Sequence, residues 1–260
     1  MTQKMIFQFT VLLLGLLLAG CTGKPSDESS NGPDTRSEAA VDPLPRIVDN
    51  APGENHFDTL VQLTDGGVNR SPVFWDNDRR VGFTSVRPPY EEVRNFSMFV
   101  DASGLELLPE ELPKPLKEAT SARTGKPIRC LMALAGTGGK GVFPGAFPHS
   151  KGISTEVLVS VDGGEPKVVS GNGQVAGSPT LTPDGRYVVY SGESSEGEYD
   201  LYVHDLELEI TEKITTAYGF DGDPAFSADG RRMVFVSQRN DQDPDEYNLF
   251  VADWLLIQEE

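Results

Sequence analysis

The chain has 260 residues and a formal net charge of −18, from 40 acidic and 22 basic side chains. A surface of that sign repels nucleic acids and anionic lipid head groups, so we expect no nucleic-acid partner and no electrostatic attachment to a membrane.

The first twenty residues form a targeting segment. Lys4 supplies a positive charge, residues 11–19 are apolar, and Leu18-Ala19-Gly20-Cys21 follows. That tetrapeptide resembles the lipobox of bacterial lipoproteins, which implies cleavage before Cys21 and lipidation of its thiol. The alternatives are an ordinary secretory signal and a membrane-anchoring helix, for which the apolar run is short. The resemblance implies an envelope protein held outside the cytoplasm by its lipid, periplasmic or at the cell surface, with the outer membrane favoured if there are two membranes.

Residues 21–55 are rich in Ser, Gly, Pro, Asp and Glu, and they have no apolar periodicity. This composition predicts a disordered tether that follows the lipidated cysteine.

Residues 56–260 are enough for one sizeable domain. Once Cys21 is lipidated, Cys130 has no intrachain partner, so we expect a buried apolar thiol and a domain held together by its core.

One pattern repeats along residues 56–260: a proline, a tight turn and a short apolar strand. Clear copies run through residues 71–85, 178–191 and 223–237, and a worn copy runs through 123–131. Pro183-Asp184-Gly185 shows the turn chemistry, because Pro presets φ and Gly accepts a positive φ. We align the copies on four residues taken as equivalent: Phe83, Cys130, Tyr190 and Phe235. The copies then lie roughly 45–60 residues apart, which is the length of a four-stranded propeller blade.

The remaining strands complete each unit. Third strands are predicted at residues 97–100, 157–159, 201–205 and 249–251, and fourth strands at 105–108, 167–169 and 211–216. The last unit lacks a fourth strand, whereas residues 59–64 form a lone strand before the first unit. Pairing these two would close the ring and hide the sheet edges. The sequence therefore predicts an all-β propeller of about four four-stranded blades, closed by an N-terminal strand on the C-terminal blade.

These repeats resemble those of the TolB-like β-propeller family, over about residues 57–255. The resemblance rests on the Pro, the Ser/Pro-Asp-Gly hairpin and the apolar strand that follows it. TolB itself has six such blades and a separate N-terminal α/β domain, so the resemblance does not bring TolB's own partners to this chain.

Four long connections between second and third strands are predicted on one face: residues 86–96, 136–154, 192–199 and 238–247. Variable loops on a rigid scaffold are the usual place for binding. In the second of them, aromatic and cationic side chains suit a protein or glycan contact: Lys140, Phe143, Phe147, His149 and Lys151. Packing of those aromatic rings against the blade edge is the alternative.

Signals for cofactors and catalysis are weak. Asp241, Asp243 and Asp245 could hold calcium, although a solvated acidic hairpin explains them equally well. Residues 136–141 match G-x-G-x-x-G, but prolines follow where a phosphate-binding helix is needed. The three histidines form no metal or nucleophile motif, and His204 in a strand beside Asp205 suggests a structural role.

The sequence thus predicts a non-enzymatic, lipid-anchored propeller without a cofactor, which binds an envelope protein or glycan. One alternative is a propeller hydrolase or lyase with carboxylates or a metal at the central channel. Another is an incomplete propeller that closes only on dimerisation.

Overall fold

The computed structural model describes residues 44–109, 133–134, 139–149, 152–171, 175–239 and 245–255. Side chains are described in these ranges except at 133–134, 145–149 and 152–154. The predicted signal segment, Cys21, most of the predicted tether and Cys130 lie outside them. No helix in these ranges is long and apolar enough to span a membrane.

All regular structure in the described residues is β. The strands are β1 (Arg46–Val48), β2 (Phe57–Gln62), β3 (Val68–Trp75), β4 (Arg80–Val86), β5 (Arg94–Phe99), β6 (Glu106–Leu107), β7 (Ala133–Leu134), β8 (Lys140–His149), β9 (Gly152–Val161), β10 (Lys167–Val168), β11 (Ala176–Leu181), β12 (Tyr187–Ser195), β13 (Glu198–Asp205), β14 (Ile210–Lys213), β15 (Asp221–Phe226), β16 (Arg232–Ser237) and β17 (Asn248–Trp254).

The strands form four antiparallel sheets, which are the blades. Blade 1 contains β3–β6, blade 2 contains β7–β10, and blade 3 contains β11–β14. Blade 4 contains β15, β16 and β17, and β2 pairs with β17 so that Val61 lies opposite Val251. The predicted four blades and the pairing of an N-terminal strand with the C-terminal blade are therefore confirmed.

The proline at the start of each clear repeat marks a bulge in the innermost strand. The residue before it has a positive φ in all three blades: 50° at Ser71, 46° at Ser178 and 51° at Asp223. Pairing with the second strand shifts register at the same place. A bulge accommodates a proline that cannot donate to the ladder and bends the strand at the ring axis.

Apolar cores lie between neighbouring blades. One joins blades 3 and 4 and includes Tyr187, Phe235 and Phe250, all below 5% exposed. A second joins blades 4 and 1, and a third joins blades 3 and 2. Around the axis the described blades therefore follow one another in the order 1, 4, 3, 2, as expected from stacked sheets.

The face of blade 1 that points away from blade 4 differs from the corresponding faces of the other blades. At the centre of their second and third strands, blades 3 and 4 pair valines: Val189 with Val203, and Val234 with Val251. Blade 1 pairs Gly82 with Ser97 there. Trp75 Nε1 donates to Ser97 Oγ at 3.2 Å, and the Arg80 guanidinium lies 5.7 Å from the Trp75 ring. The side chains of blade 1 itself thus cover this face.

Blade 2 departs from the sequence prediction. Residues 140–149 and 152–161 form a long hairpin, so the predicted loop over 136–154 is wrong. The second of the described strands is β8, so the position equivalent to Phe83 lies in β8 and not at Cys130, which is outside the described residues. The strand was not predicted because β8 contains prolines, which usually argue against a strand. Among the described residues β7 pairs only with Gly141 and Val142, and Pro144 lies beyond that pairing, opposite Val157 of β9.

Two further boundaries differ from the prediction. The connection predicted over 192–199 is a tight turn, because β12 continues to Ser195 and pairs with Glu198. At the N-terminus the sheet begins at β1, which pairs with β2, so residues 46–55 belong to the folded part and not to the tether. Three strand residues without alternating hydrophobicity give no periodic signal in the sequence.

Candidate binding site at the channel mouth

The first and third strands of each antiparallel blade run in the same direction. Their starts therefore lie at one face of the propeller, together with the connections between second and third strands. We call this the loop face, and the opposite one, with the turns between first and second strands, the hairpin face. Arg70 and Tyr199 lie near the starts of β3 and β13, while Phe220 and Tyr247 immediately precede β15 and β17.

Phe220 lies at the centre of this group. Its ring centroid is 5.9 Å from that of Tyr199 and 5.6 Å from that of Tyr247. A Cβ at residue 222 would overlap the Phe220 ring, so Gly222 is needed for the ring to lie against the strand. The Phe220 backbone N–H donates to Gln238 Oε1 at 3.0 Å. The sequence therefore places an aromatic side chain where the innermost strand of blade 4 begins on the loop face, and we call this axial part of the loop face the channel mouth.

Arg70 from blade 1 reaches over two of these rings. Its guanidinium carbon lies 4.3 Å from the Phe220 centroid and 3.9 Å from the Tyr247 centroid, within the range of cation–π attraction. Together with Tyr218, which is 86% exposed and two residues before Phe220, these side chains form what we call the mouth cluster: Arg70, Tyr199, Tyr218, Phe220 and Tyr247. They come from three blades and, apart from Tyr218, are partly exposed.

The bulges of the inner strands meet below the mouth cluster. The Asp223 carboxylate of blade 4 accepts the Ser71 backbone N–H of blade 1 at 3.1 Å and the Ser178 hydroxyl of blade 3 at 2.6 Å. One carboxylate thus links three blades near the axis. The proline repeat seen in the sequence supplies all three residues, but nothing in the repeat predicts that they form hydrogen bonds with one another.

The other acid of the described inner strands is buried. Asp221 lies 3.2 Å from Arg239, which also forms a pair with Glu54 at 2.9 Å, and all three side chains are at most 3% exposed. Burial raises the pKa of Asp221 to about 6, while the nearby Arg239 charge acts in the opposite direction. The inner-strand acids in the described ranges are therefore engaged, Asp221 with an arginine and Asp223 with two serines. This arrangement does not favour carboxylate chemistry at the channel.

The surroundings of the mouth cluster are acidic. The Glu198 carboxylate accepts the Gly219 backbone N–H at 2.7 Å. Partial burial and the Glu193 charge raise the pKa of the Tyr199 hydroxyl, so this phenol stays neutral at physiological pH. The mouth cluster therefore offers aromatic surface, neutral hydroxyl groups and one guanidinium.

The structure does not bring the predicted binding residues together. Lys140 begins β8 on the hairpin face, where its Nζ donates to Gly185 O at 2.8 Å. Phe143 lies three residues along the strand and is partly buried. Phe147 and His149 are near the other end of β8, about 23 and 30 Å from Lys140 at the usual strand rise. Their side chains and Lys151 lie outside the described residues. The prediction treated both ends of a strand as one loop.

The predicted metal and phosphate motifs have different outcomes. Asp241 and Asp243 lie outside the described residues, and Asp245 is exposed. No described group of three or more His, Cys, Asp or Glu side chains is placed to hold a metal ion. A strand, β8, begins within the G-x-G-x-x-G segment, so the helix needed for phosphate binding does not follow it. His204 is buried with Nδ1 2.8 Å from the Thr211 hydroxyl, which supports the structural role expected for it.

The fold and the mouth cluster define a four-bladed β-propeller with an aromatic, arginine-bearing surface on its loop face. No family model matches the chain. It is 33% identical over 63 residues to the Tol-Pal system protein TolB of Alcanivorax borkumensis, and 44% identical over 46 residues to a TolB homolog of Chlorobium chlorochromatii. These stretches are 24% and 18% of this chain, and 14% and 10% of the relatives, so the chain spans only a small part of either.

Two solved structures are also similar to parts of the chain. TolB from Acinetobacter baumannii is 15% identical, covers 75% of this chain and 48% of its own, and has a TM-score of 0.36. A TolB-like structure from Agrobacterium tumefaciens is 15% identical, with 75% and 66% coverage and a TM-score of 0.40. The sequence similarity of the chain to TolB is therefore partial.

Proposed function

We propose that this chain is a lipid-anchored binding module of the bacterial envelope, which holds a protein partner on its loop face outside the cytoplasm. The mouth cluster is the observation that carries the proposal. It combines tyrosine, phenylalanine and arginine at the centre of one face, the residue types enriched in the anchoring positions of protein interfaces.

A protein is a better partner than a glycan for the geometry of the mouth cluster. Phe220 packs against Tyr199 and Tyr247, and the Arg70 guanidinium lies over its ring. Tyr218, 86% exposed, is then the most open ring of the cluster, and one open ring gives a sugar little surface on which to stack. A surface of ring edges with one cation instead suits side chains inserted by a folded partner or a peptide segment. The partial identity to TolB supports a propeller of the envelope.

Affinity capture tests the binding face. The full-length lipoprotein, extracted in detergent, is mixed with envelope extract from the source cell, and captured proteins are quantified by mass spectrometry. We expect a defined partner whose capture is lost in Tyr218→Ser and in Tyr247→Ser. Arg231→Gln is the matched control, because Arg231 is exposed in a turn of the hairpin face. Capture that depends on Arg231 but not on the tyrosines would overturn the proposal.

A separate experiment tests the anchor. Cells expressing the chain are labelled with tritiated palmitate, and membranes are separated from soluble material. We expect the wild-type chain to be labelled and to sediment with membranes, and Cys21→Ser to be unlabelled. Equal labelling of the two chains, or none of either, would contradict lipidation at Cys21.

A further inference from the structure

We infer that the Arg70 guanidinium anchors the partner by binding the carboxylate of an Asp or Glu side chain in a peptide segment that crosses the channel mouth. This inference rests on the proposed function and specifies the chemistry of the same surface. It follows from the way Arg70 is held, from its place in the repeat and from the charge around it.

Within the described residues, aromatic rings are the only partners of the Arg70 guanidinium. Two aromatic rings contact its guanidinium, whereas its side chain donates no hydrogen bond to a described residue. Among the described arginines only Arg70 and the exposed Arg231 have neither a side-chain hydrogen bond nor an ion pair to a described residue; Arg46, for example, pairs with Asp65. The other partly or fully buried arginines at blade edges all donate to oxygen, for example Arg87 to Asn69 and Arg232 to Asp78. A planar guanidinium with a free edge matches a carboxylate in a two-pronged geometry.

The repeat shows that the propeller does not require an arginine at this position. Arg70 precedes the bulge residue Ser71, as Gly177 precedes Ser178 and Gly222 precedes Asp223. Blades 3 and 4 thus form the same bulge with glycine. A Cβ at Gly177 would meet no atom of the described residues within 4 Å, so no described neighbour requires a glycine at this position of blade 3. Arg70 therefore adds a cation that the bulge itself does not require.

The surrounding charge restricts the partner. Glu193 and Glu198 lie beside Tyr199 and Gly219, and the whole chain carries a charge of −18. A strongly acidic segment would be repelled, so the segment that fits has one acid among neutral or basic residues. Because Arg70 lies at the centre of the face, a segment that crosses the mouth presents an internal residue to it. This geometry favours a side-chain carboxylate over the chain end.

Affinity selection from synthetic peptides tests the inference. Three pools of octapeptides are incubated with the full-length protein in detergent, with flanking positions drawn from Tyr, Lys, Ser and Gly. The first pool has a central Glu and blocked ends, the second has Gln in its place, and the third has Gln with a free C-terminal carboxylate. We expect enrichment only from the Glu pool.

The variants assign any enrichment to Arg70. Enriched peptides should lose about ten- to hundredfold in affinity for Arg70→Gln, since a charge-assisted hydrogen bond is removed. Arg70→Lys should retain part of the affinity, because it keeps the charge but not the planar edge. Arg231→Gln, which removes the same charge from the hairpin face, should bind like the wild type. The glycine in the other blades indicates that these Arg70 variants keep the fold, which a thermal midpoint verifies.

The inference and the proposed function can fail separately. Equal enrichment from the Glu and Gln pools, enrichment from the free-carboxylate pool alone, no enrichment from any pool, or unchanged affinity in Arg70→Gln would each overturn the role of Arg70. If envelope capture still depended on Tyr218 and Tyr247, the proposed function would stand without it. Absence of any tyrosine-dependent capture would instead remove the proposed function.

Discussion

Glu54 and Arg239 are 185 residues apart in the chain and form a two-pronged ion pair, with Nη1 2.9 Å from Oε2 and Nη2 3.0 Å from Oε1. Glu54 belongs to the segment just before the ring-closing strand β2, and Arg239 follows β16 of the C-terminal blade. The same carboxylate accepts the Thr216 backbone N–H from blade 3 at 3.1 Å. The pair therefore fixes the N-terminal segment between two blades.

Replacing Arg239 should be strongly destabilising. Arg239→Met leaves two fully buried carboxylates, Glu54 and Asp221, without a cation, and breaking such a buried pair costs about 3–5 kcal/mol. The free energy of unfolding from urea titration measures the loss. Arg46→Met is the matched control, because Arg46 pairs with Asp65 near the surface and such pairs contribute about 0–1 kcal/mol. Similar losses for the two variants would contradict a special role for the buried pair.

The pKa of Asp221 predicts a dependence of stability on pH. Burial raises the pKa of Asp221 to about 6, above the value of roughly 3.9 in an unfolded chain. Because the folded state binds the proton more tightly, this group's contribution is fully present below about pH 4 and is lost as the pH rises through about 6. Asp221→Asn abolishes the titration. Wild-type stability should therefore rise relative to Asp221→Asn as the pH falls from about 7.5 to 4.5, by at most about 3 kcal/mol.

The comparison with Asp221→Asn isolates this residue from another buried group with the opposite effect. Burial lowers the pKa of His56, so its neutral form stabilises the fold above about pH 6.5, and that stability is lost on acidification. Subtraction of the variant at each pH cancels the His56 contribution. Urea titrations at matched ionic strength provide the data, and a difference that stays constant with pH would show that Asp221 does not titrate in this range.

The positive φ of the bulge residues predicts an unusual order of substitutions at Ser178. Ser178→Gly loses the 2.6 Å hydrogen bond to Asp223 but relieves a φ of 46°, so the two effects should nearly cancel to within about 1 kcal/mol. Ser178→Val loses the same hydrogen bond and adds a β-branched side chain that disfavours this conformation, at a further cost of about 1–3 kcal/mol. Thermal unfolding of both variants measures the order. Equal stability for glycine and valine would show that the backbone there is not strained.

The sequence was sufficient to predict the strands of the blades in which proline marks the bulge and glycine forms the turn that follows. In blade 4, Pro224 marks the bulge, and Gly230, with a φ of 71°, forms the turn into β16. These residue types are selected by backbone geometry, so their spacing reports strand order directly. In blade 2, Gly139, with a φ of 65°, also precedes the second strand, but Gly141 and Pro144 lie inside that strand, so the same rules gave a loop.

The candidate site was harder to predict because its residues come from different blades. Lys140, Phe143 and His149 are close in sequence, and that proximity suggested a loop cluster, but extension of β8 separates its two ends. Arg70 and Phe220 are 150 residues apart and meet only after blades 1 and 4 pack together. A comparison of the repeats does contain one signal: Arg70 stands where Gly177 and Gly222 occupy the equivalent positions.

The ring-closing strand should matter far more to stability than the strand outside it. Leu60 in β2 is 1% exposed and packs in the core between blades 3 and 4, so Leu60→Ala should cost about 2–5 kcal/mol. Ile47 in the outer strand β1 is 78% exposed, and Ile47→Ala should change stability by less than about 0.5 kcal/mol. Urea titration of both variants, with limited proteolysis to locate the first cleavage, measures this difference. Because β2 completes the C-terminal blade, Leu60→Ala should also expose β17 to the protease, and protection of β17 equal to that in the wild type would contradict closure by this strand.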